Sequence, residues 1–280
     1  MPSPAPRASS VLRLEGRDTL DLLHRISTQF LLGLSPGECR AAPFCDFRGR
    51  LLHRAIVAAT RDGALWLLRG DAPGEELALF VGRSVFREDI RVADLGAQWS
   101  VLVAPGADAL AAGAVEERDG VPVRARIAPD WAIALVPPGA DLPPEDEAAR
   151  IRAGRPRHGY EIHPDFTPFE VGLAHEVHLA KGCYPGQEAL MRLVTYRSVR
   201  RRLVRLSGGG PAPAAASDVR ADGAVAGRLT SVAEGEAGGW IALAVLRHEA
   251  ASPGVRLGIE GAGALREPEA FDLTQPLGLG

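Results

Sequence analysis

The chain has 280 residues, 46% of them hydrophobic and 24% charged, which is enough apolar content for a buried core and a length that suits about two compact units. A net charge of -3 and an isoelectric point near 6.2 exclude a protein that binds polyanions over its whole surface, so any nucleic-acid contact has to be local. Three cysteines, Cys39, Cys45 and Cys183, with no Cys-x-x-Cys pair, exclude a disulfide framework and a complete four-cysteine zinc or iron–sulfur site within one chain.

The amino-terminal MPSPAPRASS has one arginine and lacks the apolar run of a signal sequence. No window reaches the roughly 18 uninterrupted apolar residues of a membrane span, and a reducing, cytoplasmic location is expected. Next, VLRLEGRDTLDLLHRI predicts a short strand, a break at Gly16 and a helix capped by Asp18, with Leu20, Leu23 and Ile26 near one face. LLHRAIVAATRDGALWLLRG predicts an antiparallel hairpin turning at Arg61-Asp62-Gly63, where Asp-Gly supplies the positive φ of a tight turn. A second helix is expected from near Asp71, carrying Leu77, Phe80, Val81 and Val85. A third is expected through PPEDEAARIRAG, acidic early, basic late and ended by Gly154.

After Arg200 the texture changes to short β-like runs, RRLVRL, GAVAGRLTSV and GWIALAVL, separated by Gly-, Pro- and Ala-rich connectors, which predicts a small antiparallel barrel. A boundary is placed there, between residues 1–200 and a barrel domain at 201–280. SGGGPAPAAAS reads as a loop inside the barrel and REPEAFDLTQPLGLG as a loose tail.

The chemistry concentrates in KGCYPGQEALMR, residues 181–192. A thiol becomes nucleophilic or metal-binding as the thiolate, and Lys181 together with turn amides from Gly182 and Gly186 would favour that form of Cys183; a small buried packing residue is the competing reading. Gln187 and Glu188 at the start of a short helix have the hydrogen-bonding variety to read the edge of a heterocycle, or simply cap a surface turn. His175, His178 and Cys183 suggest metal ligands superficially. The histidine pair shares a face only on a helix, however, and Val177 and Leu179 fit a strand equally well, so no metal site is assigned. Arg192, Arg197, Arg200, Arg201, Arg202 and Arg205 form one basic cluster that would receive a carboxylate tail, a phosphate backbone or water. Only Tyr196 is interleaved with it, which argues against direct nucleic-acid binding.

KGCYPGQE followed by Arg192 resembles the Lys-Gly-Cys-Tyr-x-Gly-Gln-Glu signature of the YgfZ family of folate-binding iron–sulfur maintenance proteins. CDFRGRLL (45–52), RIRAGRP (150–156), FTPFEVGLA (166–174) and VRRRL (199–203) follow that family's order and spacing. The resemblance implies an α+β fold like that of the glycine-cleavage T-protein, with two α+β subdomains and a carboxy-terminal antiparallel β-barrel around a central hole for tetrahydrofolate or a one-carbon derivative. Carried over residue by residue, it makes Cys183 the first candidate for chemistry, with Lys181 beside it, and Tyr184, Gln187, Glu188 and Arg192 candidates for the ligand, joined by Arg152 and Glu170 from the two motifs upstream. It departs from the T-protein where that protein's catalytic acids would fall, since His53 and Arg54 stand there, and where its pterin-holding glutamate would fall, since Arg152 stands there; Asp46 is the substitute acid. The function implied is support of iron–sulfur cluster assembly or repair in client enzymes, tRNA-modifying enzymes among them, with folate and iron–sulfur client or assembly proteins as partners and no membrane. The rival is a folate-dependent one-carbon transferase of aminomethyl or methyl groups, and classical aminomethyltransferase activity is not expected.

Overall fold

The computed structural model describes residues 8–103, 109–140, 145–252, 254–263, 265–266, 268–271 and 275–278. Contacts divide the chain into two units: Met1–Cys45, Leu52–Pro144 and Ala180–Pro185 form the first, and Asp46–Leu51, Glu145–Leu179 and Gly186–Gly280 the second.

In the first unit β1 (Ser10–Glu15) leads through Gly16 into α1 (Thr19–Ile26). Gly16 has φ +119, and a Cβ there would lie 1.9 Å from the carbonyl oxygen of Asp89, so only glycine fits the break. Asp18 is the N-cap residue, but its carboxylate makes no capping bond to the helix and accepts the Asp89 N–H at 2.7 Å instead. β2 (Cys39–Cys45), β3 (Leu51–Ala59) and β4 (Leu65–Arg69) follow, then α2 (Gly74–Gly82) and β5 (Arg91–Asp94), giving an antiparallel-paired sheet in the order β2-β3-β4-β1-β5. The β3–β4 turn is the expected one. Gly63 has φ +86, and one Asp62 oxygen accepts from the Thr60 hydroxyl and the Ala64 N–H. The second helix starts at Gly74, after Pro73, rather than near Asp71; Leu77 and Val81 are buried, with Phe80 and Val85 packed beside them.

This sheet is covered on both faces. Leu12, Leu14, Val57, Leu65 and Leu67 pack with Leu22, Leu23 and Ile26 of α1 and with α2, while Val11, Ile56, Ala58, Trp66 and Leu68 pack against a second sheet. That sheet, β6 (Ser100–Val103), β7 (Val115–Arg118), β8 (Val121–Ala128) and β9 (Trp131–Val136), has the order β6-β9-β8-β7. Two buried faces explain near-continuous apolar strands such as Leu65–Arg69.

The second unit opens with α3 (Glu147–Arg152), capped by the Asp146 carboxylate on the Ala148 N–H and ended at Gly154 with φ +65. Pro143 and Pro144, included in the expected helix, lie outside the described residues. The RIRAGRP motif is used for packing: buried Arg150 bonds Glu147 at 2.7 Å and lies 3.4 Å from the fully buried Glu161, which also accepts from the Ser231 hydroxyl at 2.7 Å. After α4 (Gln187–Thr195) come β10 (Arg201–Gly208), β11 (Asp218–Ala221), β12 (Ala224–Glu234), β13 (Trp240–Arg247), β14 (Leu257–Ile259) and β15 (Glu269–Ala270), ordered β14-β11-β12-β13-β10-β15. The strands pair antiparallel, and no ladder between the end strands β14 and β15 is present among the described residues.

Its core is Val204, Leu206, Leu229, Trp240, Ala242, Ala244 and Leu246. Of SGGGPAPAAAS, Ser207 and Gly208 end β10, and residues 209–217 form a loop inside this sheet, between β10 and β11. The tail is not loose throughout. Glu269–Ala270 pairs with β10, the Phe271 carbonyl accepts from Arg202 at 2.7 Å, and Leu277 exchanges backbone bonds with Val177 and Leu179. The signal was missed because two-residue pairing has no sequence period. Residues 1–7 and 272–274, read for a leader and as part of the tail, lie outside the described residues. No helix among the described residues is long and apolar enough to cross a membrane.

Candidate functional site

The signature divides between the units at Pro185–Gly186. In the first unit, Lys181 is buried at 8% exposure, and its ammonium donates to the backbone carbonyl of His24, in the last turn of α1, while lying 4.8 Å over the Tyr184 ring. A cation at a helix carboxyl end satisfies an orphan carbonyl and meets the negative end of the dipole. Lys181 has no carboxylate partner among the described residues, and burial lowers its pKa from 10.5 to about 8. The imidazole of His24 returns a bond, with Nε2 3.0 Å from the Lys181 carbonyl oxygen.

Gly182, at φ +108, turns the chain in open space, and Cys183 is the one exposed cysteine, whereas Cys39 and Cys45 are buried. The small-buried-hydrophobe reading of Cys183 is therefore set aside. Cys39 is a packing residue whose thiol burial holds at a pKa of about 12. Tyr184 is buried at 7% exposure, and its hydroxyl has no hydrogen-bond partner among the described residues. Burial, with Cys45 adding to it, pushes that hydroxyl's pKa above the usual phenol value.

In the second unit, Gly186 is the N-cap of α4 at φ +83 and lies against the turn that contains Asp46; a Cβ on it would sit 2.5 Å from the Asp46 carbonyl oxygen and 2.7 Å from the Gly49 Cα. One oxygen of the Asp46 side chain accepts the N–H groups of Arg48 and Arg50, at 2.8 Å each. The proposed substitute acid thus closes a tight turn, which presents Phe47 at 86% exposure. The Gln187 amide donates to the Leu179 carbonyl at 2.8 Å. Glu188 and Arg192 pair with each other on the solvent face of α4, one turn apart, beside a shallow groove with Met191, Thr195 and Tyr196.

Glu170 forms the capping box of the short 3-10 turn Pro168–Val171. Its carboxylate accepts from the Thr167 N–H and hydroxyl and from Arg201 at 2.7 Å. Arg152 is an exposed residue 3.4 Å from Glu236. The basic cluster is also largely spent on the chain itself: Arg201 on Glu170, Arg202 on Phe271, Arg205 on Glu269 and on the Arg152 carbonyl.

Most of the residues expected to hold folate already bond within the chain. Gln187, Glu188, Arg192, Glu170 and Arg152 are committed to their own chain or to each other, and Tyr184 alone offers an unused buried polar atom. Where the T-protein acids would fall, His53 is buried, 3.3 Å from the Arg69 guanidinium and edge-on to Phe80, and Arg54 lies 4.4 Å over the Trp131 ring. No carboxylate stands at either position.

Residues 200–269 match the model of the CAF17 C-terminal beta-barrel domain. A chloroplastic protein of Arabidopsis thaliana is 38% identical over 109 residues, covering 39% of this chain and 25% of that one. A mitochondrial protein of Mycosarcoma maydis, named as an iron–sulfur cluster assembly factor IBA57 homolog, is 27% identical over 241 residues, covering 75% of this chain and 58% of that one. The matches span less than two thirds of either relative. Among solved structures, the glycine cleavage system aminomethyltransferase T from Bartonella henselae aligns with a TM-score of 0.77 over 96% of this chain and 86% of its own, at 17% identity. The chain has the aminomethyltransferase T fold.

Two features of the site escaped the reading of the sequence. Arg accounts for all but one of the 32 basic residues, and the single lysine is Lys181, a signal that a residue count carries. His24 carried no signal, because its partner lies 157 residues away.

Proposed function

We propose that the chain supports the assembly or repair of iron–sulfur clusters in client enzymes, tRNA-modifying enzymes among them, through the thiol of Cys183. The carrying observation is the placement of that thiol: it is exposed, two residues after Lys181, whose side chain is anchored to the end of α1. A soft sulfur so placed binds iron as the thiolate, and one thiol supplies only one ligand, so a cluster would be held transiently with ligands from a partner. The resemblance of KGCYPGQE to the maintenance-protein signature, the printed name of the Mycosarcoma maydis relative and the match to the CAF17 domain all support this reading.

Reduced folate belongs to the proposal on the strength of the fold and the signature. Calorimetry with mono- and polyglutamated tetrahydrofolate tests that part. Binding at low-micromolar or weaker affinity, about -8 kcal/mol at best, is expected, and absence of heat with both ligands removes folate from the account.

The second reading, a folate-dependent one-carbon transferase, draws on the same fold. It needs an acid near the reactive nitrogen, and the candidates give it little: His53 and Arg54 are not acids, and Asp46 is engaged in its turn. Location in a reducing compartment such as the cytoplasm, with an iron–sulfur client or assembly protein as partner, completes the reading.

A further inference from the structure

We propose that His24 is a positioning residue for the Cys183 turn, acting through the backbone of Lys181. The inference rests on the reading of Cys183 as the functional thiol, but its geometry is independent of what that thiol does. His24 is buried in the last turn of α1, and its Nδ1 accepts the Leu31 N–H at 3.1 Å. With Nδ1 an acceptor, the ring proton sits on Nε2, which therefore donates to the Lys181 carbonyl at 3.0 Å. Phe30 meets the imidazole edge-on, with centroids 5.3 Å apart and planes at 89°, and this contact holds the ring plane that both bonds require.

The exchange is reciprocal. The side chain of His24 binds the backbone of Lys181, and the side chain of Lys181 binds the backbone of His24. Two such bonds fix both the position and the rotation of residue 181, whereas the ammonium alone could swivel about its carbonyl partner. Gly182 next in line has φ +108 and nothing within 4 Å of a Cβ position, so nothing packed on that side of Gly182 adds to the hold on Lys181. The chain runs to Cys183 from the Lys181 peptide, and His24 is the side chain that bonds the carbonyl of that peptide.

Two substitutions separate the halves of the histidine's work. A glutamine at this position carries an N–H near the place of Nε2 and keeps the bond to Lys181, while losing the acceptor for Leu31. An asparagine carries an acceptor near the place of Nδ1 and keeps the bond to Leu31, while losing the donor to Lys181. His24→Gln and His24→Asn are compared with wild type in the full chain, by amide hydrogen exchange at residues 182–184 and by the rate of Cys183 alkylation with iodoacetamide, Cys183→Ala serving as the blank.

Exchange in His24→Asn is expected to quicken by about fivefold to tenfold, the effect of one lost hydrogen bond on local opening, with the alkylation rate changed in parallel. His24→Gln is expected to stay within about twofold of wild type in both. Equal behaviour of the two variants, or the reverse order, overturns the proposal. Should neither variant fold, the wild-type imidazole decides by nitrogen NMR: a proton on Nε2 supports the proposal and a proton on Nδ1 overturns it. An iron–sulfur client fully supported by Cys183→Ala would sink the functional reading and leave these local measurements standing.

Discussion

Replacing Lys181 with methionine removes a buried ammonium while keeping an unbranched chain over the Tyr184 ring, and the consequence for stability depends on pH with a sign that can be worked out. The amine titrates at about 8 in the folded chain against 10.5 when freely hydrated, because burial disfavours its charge. Below pH 8 both states are protonated, and the folded state carries the whole penalty of the buried charge. Between about 8 and 10.5 the unfolded chain binds more protons than the folded one, so the stability of the wild type rises with pH; above 10.5 both forms are neutral and the penalty is gone. At about 1.4 kcal/mol for each tenfold step, the interval amounts to roughly 3 kcal/mol. Losing the bond to the His24 carbonyl lowers the variant by a constant offset, and only the slope reports the proton.

The assay is denaturant unfolding of both proteins from pH 7 to pH 10.5, with ¹³C-labelled lysine giving a single side-chain resonance because the chain has one lysine. The wild type should gain about 3 kcal/mol on Lys181→Met across that range, with the resonance at its midpoint near pH 8. A flat difference, or a midpoint near 10.5, would refute the reasoning.

Two further outcomes follow from the same geometry. Gly186→Ala should lose about 2–5 kcal/mol in denaturant unfolding, since it adds both a positive-φ strain and a methyl 2.5 Å from a backbone oxygen, whereas Gly182→Ala, strained but unobstructed, should lose only about 1–2. A reconstituted glycine-cleavage assay should show no aminomethyl transfer above background, because His53 and Arg54 replace the acids; robust transfer would promote the transferase reading.

Legibility followed physical cause. The β1–α1 step and the β3–β4 hairpin were readable because Gly16 and Asp62-Gly63 mark places where backbone geometry constrains the residue. The β6–β9 sheet was not anticipated. Its strands, such as Val115–Arg118, are short and carry charged residues, and they owe their order to packing on Trp66 and Leu68. In the site, the motif located the thiol turn and the exposed Cys183. It did not reveal the intrachain partners of Glu170, Glu188 and Arg192, because a motif states which residues recur together and not whether a carboxylate faces a ligand, a cap or a neighbouring guanidinium. Three residues of the RIRAGRP stretch, Arg150, Arg152 and Arg155, look alike in sequence. The structure buries Arg150 on Glu147 and Glu161, pairs Arg155 with Glu145 and leaves Arg152 on the surface.

The central claim concerns the thiol, and the most direct test measures an iron–sulfur enzyme's activity in cells that lack the native protein and carry Cys183→Ser or Cys183→Ala, with the melting temperature of each purified variant alongside. An exposed residue contributes little packing, so both variants should melt within a degree or two of wild type, a change of less than about 0.5 kcal/mol. The account predicts that this unchanged stability is accompanied by loss of client activity with either replacement. Full client activity with Cys183→Ala at wild-type stability would contradict it.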